Sequence, residues 1–455
     1  MKKKDSVLIN KKIRKYNKEI NGKEFPDKSI SHRAYILASQ CLGISKINGL
    51  KSEDVKATIG ALKKLGIKII KKGDWDYVCG NGISGFKKFT GIINFSNSGT
   101  SLRSFLGILT CYPWPVTLTG DSSLRYRPVR RLTDYLERIG AFITHPKNKR
   151  FTLPVRIHGT RKWALAQKHY LKVPSAQMSN ALILSAIQTK GTTEIIESSS
   201  FTRDHTQRLL KSLNADIKIE EKRGKRITKV RGQVEMKNFT INVPGDFSSA
   251  IFLIVQTLLT ENSSLVIKSV CIQKNRIGAY HILKAMGAKI KFFRKRKYFN
   301  EEVADIYVKS SKLKGIKINN KKFIITAIDD LLAVWVACSL AKGKSHFSGT
   351  ALLELQLKES KRITKMSENL KRFGIKTHTT KSSITIHGRS PYIKTNKFIK
   401  IPRILDHRIL LSTYVLANVT GCKVLIHGFS TVDSSFPGWL KLQKKKFGSK
   451  YEIKK

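Results

Sequence analysis

The sequence predicts an α/β protein of two similar domains, each built from three βαβαβ-type repeat units with buried helices. Three observations carry this prediction. Six segments share one pattern, an amphipathic helix, then Gly or Asn, then a short apolar strand: Ala61–Ile69, Asp134–Ile143, Arg208–Ile217, His281–Ile290, Asn369–Thr377 and, weakest, Leu442–Lys450. Their Gly or Asn residues, at 66, 140, 214, 287, 374 and 448, are spaced by 74, 74, 73, 87 and 74 residues. A second series of small and apolar helices interleaves with the first and begins near Ser31, Ser101, Ser175, Ser248, Asp329 and Asp406. The period is too long for a solenoid repeat and fits one supersecondary unit used six times.

Each element has a local reason. A Gly or Asn just past the last helical residue adopts the left-handed conformation that stops a helix. Ser and Asp are preferred N-caps, so all six helices of the second series open on a suitable residue. Stretches such as Ile251–Leu259 and Leu331–Ala341 are apolar on most faces. Such helices need cover from sheet and partner helices. Three units per domain place one domain at 25–242 and the other at 1–24 with 243–455, the boundary falling near Pro244 and a cleft lying between them. Ser6–Asn10 is expected to be a strand that returns to the C-terminal half.

Composition narrows the class. The chain has 455 residues, 41% of them hydrophobic, which suits a globular protein of more than one domain. No apolar run reaches the roughly 18 residues of a membrane span. The opening Met1-Lys2-Lys3-Lys4-Asp5 lacks the apolar core of a signal peptide and the Arg- and Ser-rich character of a transit peptide. A cytoplasmic location without membrane contact is expected. Six cysteines, Cys41, Cys79, Cys111, Cys271, Cys338 and Cys422, are scattered with no C-x-x-C pair. That pattern indicates reduced thiols, not a disulfide framework or a zinc site. The formal charge of +56 has two readings, nucleic-acid binding or the drift of a chain rich in Lys, Ile, Asn and Phe. Basic runs exist at Lys222–Arg226 and Arg294–Lys297. Lys is nevertheless spread along the whole length, and no zinc-finger, RNP-type or basic-zipper pattern stands out. Drift is the preferred reading, with incidental, salt-sensitive binding to nucleic acid still expected.

The chemistry-bearing residues gather at the starts of the buried helices. Asp27-Lys28-Ser29-Ile30-Ser31-His32-Arg33 runs directly into apolar sequence. A helix start offers unpaired N–H groups and the positive end of a dipole, and Lys28 and Arg33 would add charge for a phosphate or carboxylate. The alternative is a capped helix with solvated charges. Asn97-Ser98-Gly99-Thr100-Ser101-Leu102-Arg103 is a Gly-containing turn whose backbone can approach a phosphate closely. Gly120–Pro128 carries Arg125 and Arg127, and Pro174-Ser175-Ala176-Gln177 opens a further helix with a hydroxyl and an amide. In the second half, Asp329-Asp330 precedes an apolar helix, and these acids read as caps, a general base, or one of each. Lys358 and Arg362 stand four apart and are expected on one helical face. Asp406-His407-Arg408 again caps an apolar helix; Arg408 is expected to face an anion, and His407 reads better as a structural histidine. No metal-ligand spacing, Ser-His-Asp arrangement or P-loop is convincing. The residues suit transfer chemistry on phosphorylated, carboxylated small molecules.

Taken together, these motifs resemble the 5-enolpyruvylshikimate-3-phosphate (EPSP) synthase family over about residues 5–445. The matching runs are 27–33, 97–103, 120–128, 173–177, 202–206, 243–250, 329–330, 357–363, 406–408 and 434–439, in family order. The resemblance implies an enolpyruvyl transferase-like inside-out α/β barrel in each domain. It implies transfer of the enolpyruvyl group of phosphoenolpyruvate to the 5-hydroxyl of shikimate 3-phosphate, with no metal or organic cofactor, in a monomer that needs no nucleic acid. By carry-over, Lys28, Ser29, Arg33, Ser175, Ala176, Gln177, Asp329 and Lys358 would bind shikimate 3-phosphate. Lys28, Gly99, Arg127, Arg362 and Arg408 would bind phosphoenolpyruvate, and Gly99 implies competition by glyphosate. Asp329, Glu359 and Lys28 would handle protons, and domain closure would assemble the site. This chain departs from the family at Pro26, usually Gly, at Lys361, usually an acid, and at Ser434, often Lys. Rival readings are a UDP-N-acetylglucosamine enolpyruvyl transferase and a basic nucleic-acid-binding protein on a degenerate enzyme scaffold. The first typically has a Cys in the loop matching Gly120–Pro128, which here has none.

Overall fold

The computed structural model describes residues 5–145, 151–160, 164–173, 175–199, 202–389 and 397–454. Pro174 of the third helix entrance and the first four residues lie outside this set. The chain forms two compact units. One comprises Pro26–Val243 with Lys297–Glu301; the other comprises the chain up to Phe25, Pro244–Arg296 and the described residues from Glu302 onward.

Among the described residues, twenty-four strands form six four-stranded sheets of one topology. The second repeat shows it most simply. Ile92–Asn94 runs parallel to Pro115–Thr119, with Ile93 opposite Leu118. Val155–His158 pairs antiparallel with Pro115–Thr119, and Phe142–Thr144 completes the sheet beside it. The unit is therefore βαβαββ, one strand longer than the sequence reading. The extra strand follows the Gly turn at a distance that varies between copies, so it leaves no fixed spacing to detect.

Three copies borrow strands from afar. Thr240–Asn242 supplies the parallel edge of the first sheet, with Ile241 opposite Ile47. Ser6–Ile9 lies between Val424–Ile426 and Tyr451–Lys454 in the last sheet, as expected of an N-terminal strand returning to the C-terminal half. Asn17–Asn21 forms the parallel edge of the fourth sheet.

The stop signals act as read. Gly66, Gly140, Asn214, Gly287, Gly374 and Gly448 all have positive φ, between 59° and 113°. The amphipathic helices that they end bury one stripe; in Arg130–Ile139 it is Leu132, Thr133, Leu136 and Ile139. The helices of the second series are buried almost all round. Leu331–Ser339 is buried at every position, and so is His407–Val419. Each fully buried Leu, Ile or Val there contributes about 1.5–3 kcal/mol. Gly107 lets two such helices touch, because a Cβ at this position would lie 2.1 Å from the carbonyl oxygen of Ala181.

The caps are Ser or Asp, but several sit earlier than the sequence reading placed them. Asp27, not Ser31, caps Lys28–Gln40 by accepting from Ile30 N. Ser98 caps Gly99–Leu109 and Asp246 caps Phe247–Leu259. Ser175 and Asp406 cap as expected. All six cysteines are free thiols, and burial pushes those of Cys41 and Cys338 up to about 12. Among the described residues no helix is long and apolar enough to cross a membrane.

Candidate active site

In the unit that begins at Pro26, the helix Lys28–Gln40 presents Lys28, Ser29 and Arg33 from its first two turns. Lys28 Nζ meets Asp54 Oδ2 at 2.8 Å, from the start of the amphipathic helix Glu53–Lys64. Arg33 is buried. Its Nη1 donates to Ser29 O at 2.9 Å and its Nε to Thr206 Oγ1 at 2.7 Å. Thr206 in turn donates to Asn180, whose amide donates to Ser104 Oγ. Arg33 is thus held by a relay that includes the helices Ala176–Ala186 and Gly99–Leu109. His32, between the two cations, is fully buried and meets Thr58 Oγ1 at 2.8 Å through Nδ1. Burial, and then the charges of Lys28 and Arg33, push its pKa well below the ordinary value. It adds no charge to the site.

Gly99 is the first residue of its helix, and the Arg127 guanidinium lies against it: a Cβ there would come 3.1 Å from Arg127 Nη1 and 2.8 Å from Arg103 Nη1. Arg127 is held by Asn97 Oδ1 and, at 3.4 Å, by Ser123 Oγ. Ser175 Oγ accepts from Met178 N, so Ala176 and Gln177 form the first turn of the third buried helix and are half-buried.

In the other unit, three carboxylates converge on one guanidinium. Arg362 is 1% exposed and donates through Nη1 to Asp329 Oδ1 at 3.2 Å, through Nε to Asp406 Oδ2 at 2.9 Å and through Nη2 to Glu359. Burial alone would disfavour its charge; the carboxylates of Asp406, Glu359 and Asp329 outweigh that and push its pKa up. Lys358 Nζ lies 3.4 Å from the same Asp329 oxygen. Arg408 Nη1 donates to the main-chain oxygen of Asp329 at 2.7 Å and approaches Asp330 at 3.4 Å.

Two expectations are corrected here. Lys358 and Arg362 do not share a helical face. A 3₁₀ segment ends at Leu357 and the next helix begins at Arg362, so the pair meets at Asp329 by way of a turn. That turn is pinned by Ser360 Oγ donating to Asp406. Nor does Asp329 or Asp330 cap the helix Leu331–Ser339: Asp330 occupies the cap position without a side-chain cap bond, and both carboxylates face cations instead. His407 is a buried histidine whose Nδ1 meets Ser434 Oγ at 3.3 Å. Lys361 is exposed at the cap position of Arg362–Arg372, where an acid would complement the helix and a Lys cannot.

The sequence reading missed the anions and hydroxyls that aim the cations: Asp54, Asn97, Thr206 and Asp406. Three of these lie inside recognised motifs, but nothing in the motifs names their targets. Asp54 lies in no motif; it stands in the first turn of a helix that Ser52 caps.

Buried helices on six copies of βαβαββ define an α/β enzyme of the enolpyruvyl transferase fold. The enolpyruvyl transferase NikO from Streptomyces tendae has that fold, with a TM-score of 0.75 over 98% of both chains at 11% identity. The particular family follows from sequence: the family model for EPSP synthase (3-phosphoshikimate 1-carboxyvinyltransferase) matches residues 11–442, and the chain belongs to that family. It is 36% identical over 432 residues to the 3-phosphoshikimate 1-carboxyvinyltransferase of Zymomonas mobilis, covering 94% of this chain and 93% of the relative. To that of Petrotoga mobilis it is 36% identical over 423 residues, covering 92% and 95%. The EPSP synthase structure from Acinetobacter baumannii matches with a TM-score of 0.83 at 31% identity, over 99% of this chain and all of that one.

Proposed function

We infer that this chain transfers the enolpyruvyl group of phosphoenolpyruvate to the 5-hydroxyl of shikimate 3-phosphate and releases phosphate, the step of the shikimate pathway that leads to chorismate and the aromatic amino acids. The observation that carries it is the family match across residues 11–442. The substrate hydroxyl adds to the enol carbon while a proton goes to the methylene, giving a ketal phosphate. Loss of phosphate and of one proton from the new methyl group gives the enol ether.

The roles are those that the resemblance to the family implies. Lys28, Ser29, Arg33, Ser175, Ala176 and Gln177 are assigned to shikimate 3-phosphate, together with Asp329 and Lys358 of the other unit. Gly99, Arg127, Arg362, Arg408 and Lys28 are assigned to phosphoenolpyruvate. Asp329 takes the hydroxyl proton. Arg362 is already saturated by carboxylates, so a substrate carboxylate displaces one of them. Glu359, which touches Arg362 from three residues away and is the most exposed of the three, is assigned that part. Once released it serves, with Lys28, the proton traffic at the methylene. The chemistry calls for no metal or organic cofactor, and the enzyme works as a cytoplasmic monomer.

The test is phosphate release with both substrates. Turnover is expected, and Lys28→Ala should lower it about 100-fold, a loss of about 2.7 kcal/mol of transition-state stabilisation. A parent protein no faster than Lys28→Ala overturns the reading. Gly99→Ala separates binding from folding. The new methyl pushes on the mobile ends of Arg103 and Arg127, so the KM for phosphoenolpyruvate should rise about tenfold, about 1.4 kcal/mol. Stability should hold or increase, since Ala suits a helix better than Gly. A rise in the KM for shikimate 3-phosphate alone would reassign Gly99.

A further inference from the structure

The large positive charge is left unused by the reaction. Within the unit that begins again at Pro244, four stretches contain no Asp or Glu: 262–296, 306–328, 331–353 and 369–405. The fold brings parts of them side by side. Lys314 N donates to Met286 O at 2.9 Å, and Lys289 N to Ser311 Oγ at 2.9 Å, which joins the turn after the helix Gly278–Ala285 to the segment after the strand Glu301–Lys309. Lys342 N donates to Leu313 O and Gly315 N to Lys342 O, both at 2.8 Å, which joins that segment to the turn before the strand Lys344–Ser348.

Six exposed lysines therefore follow one another across neighbouring segments: Lys284, Lys289, Lys312, Lys314, Lys342 and Lys344. None of them makes an ion pair among the described residues. The row continues to His387, which pairs with Lys344 across the sheet and donates its N–H to Lys376 O at 3.0 Å. Partial burial, and then the charges of Lys344, Lys376 and His378, hold the His387 imidazole below its ordinary value. Helix electrostatics accounts for one member only: Lys284 lies in the last turn of a helix, where a cation is favoured. The other five lie outside helices, where neighbouring like charges repel and stabilise nothing.

We propose that this lysine row is a binding surface for the phosphodiester backbone of nucleic acid, used beside the enzymatic activity and without reading base sequence. The row matches a regular line of phosphates in charge. None of the exposed large apolar side chains lies on it, so it offers no platform for base stacking or for insertion into a lipid surface. Binding would come from counterion release and would fall steeply with salt.

The test uses the full-length protein, fluorescent duplexes of about 20 base pairs, and anisotropy across a salt series. Contact with about five phosphates predicts a slope of log K against log salt of about −4.5. The variant with Lys284, Lys289, Lys312, Lys314 and Lys342 changed to Gln should lose at least about three of that slope and bind at least about tenfold more weakly at 0.1 M salt. A matched variant with Lys46, Lys68, Lys72, Lys218 and Lys222 changed to Gln, all exposed in the other unit, should lose less than about one. Two unrelated duplex sequences should bind alike. Equal losses in the two variants, no duplex binding by the parent, a clear sequence preference, or binding to anionic vesicles in place of duplex would each overturn the proposal.

Discussion

Asp406→Ala should be the most destabilising single change near the candidate site, by about 3 kcal/mol or more. Its carboxylate is fully buried and does three things: it accepts from Arg408 N to cap a helix, from Ser360 Oγ to hold a turn, and from Arg362 Nε and Nη2. Removing one partner of a buried ion pair typically costs about 3–5 kcal/mol, because the other charge stays buried. Here Glu359 and Asp329 still face Arg362, which places the charge part at the lower end. Loss of the cap adds about 0.5–2 kcal/mol. At about 2–4 °C per kcal/mol for a unit of this size, thermal unfolding should shift down by about 6–12 °C. Asp406→Asn separates the contributions, because it keeps an oxygen for the cap and loses the charge. It should recover only the cap's share. Two variants that both melt within about 2 °C of the parent would show that Arg362 does not depend on Asp406.

The same residue marks where sequence reasoning stopped. Asp406 was read as a cap, which it is, but its second target lies 44 residues away. Lys28 is 26 residues from Asp54, and Arg33 is 173 from Thr206. A local pattern can identify a cation at a helix entrance. It cannot say which distant acid aims it, since that depends on how repeats pack. The repeats themselves were legible for the opposite reason. An amphipathic stripe ended by Gly or Asn is complete within about ten residues, and all six turned out left-handed. Helix starts were less secure, because Asp27, Ser29 and Ser31 are all good caps and only the geometry of Ile30 N selects Asp27. The fourth strand of each unit and the borrowed edge Thr240–Asn242 depend on tertiary pairing, which leaves no periodic trace. The turn at Ser360 was hidden too: Lys358–Arg362 has helical spacing, and only the bond to Asp406 shows why the helix begins at Arg362.

Asp329→Asn should have the largest effect on catalysis, lowering kcat about 100- to 10,000-fold if Asp329 is the proton acceptor. The substitution keeps size, and it keeps an oxygen for Arg362 Nη1 and Lys358 Nζ. What it removes is the capacity to take a proton from the substrate hydroxyl. Because Arg362 retains Asp406 and Glu359, stability should fall by less than about 1 kcal/mol, the scale of a partly exposed pair. The three acids around one guanidinium are thereby told apart: Asp406 should govern unfolding with a smaller effect on chemistry, and Asp329 the reverse. Lys358→Ala tested alone and with Asp329→Asn adds a coupling measurement. Two groups that meet at one oxygen should not act additively, and an interaction energy above about 0.5 kcal/mol is expected in log kcat/KM. A kcat for Asp329→Asn within tenfold of the parent, with thermal unfolding displaced as far as in Asp406→Ala, would make Asp329 a structural counter-ion and pass the proton to another group.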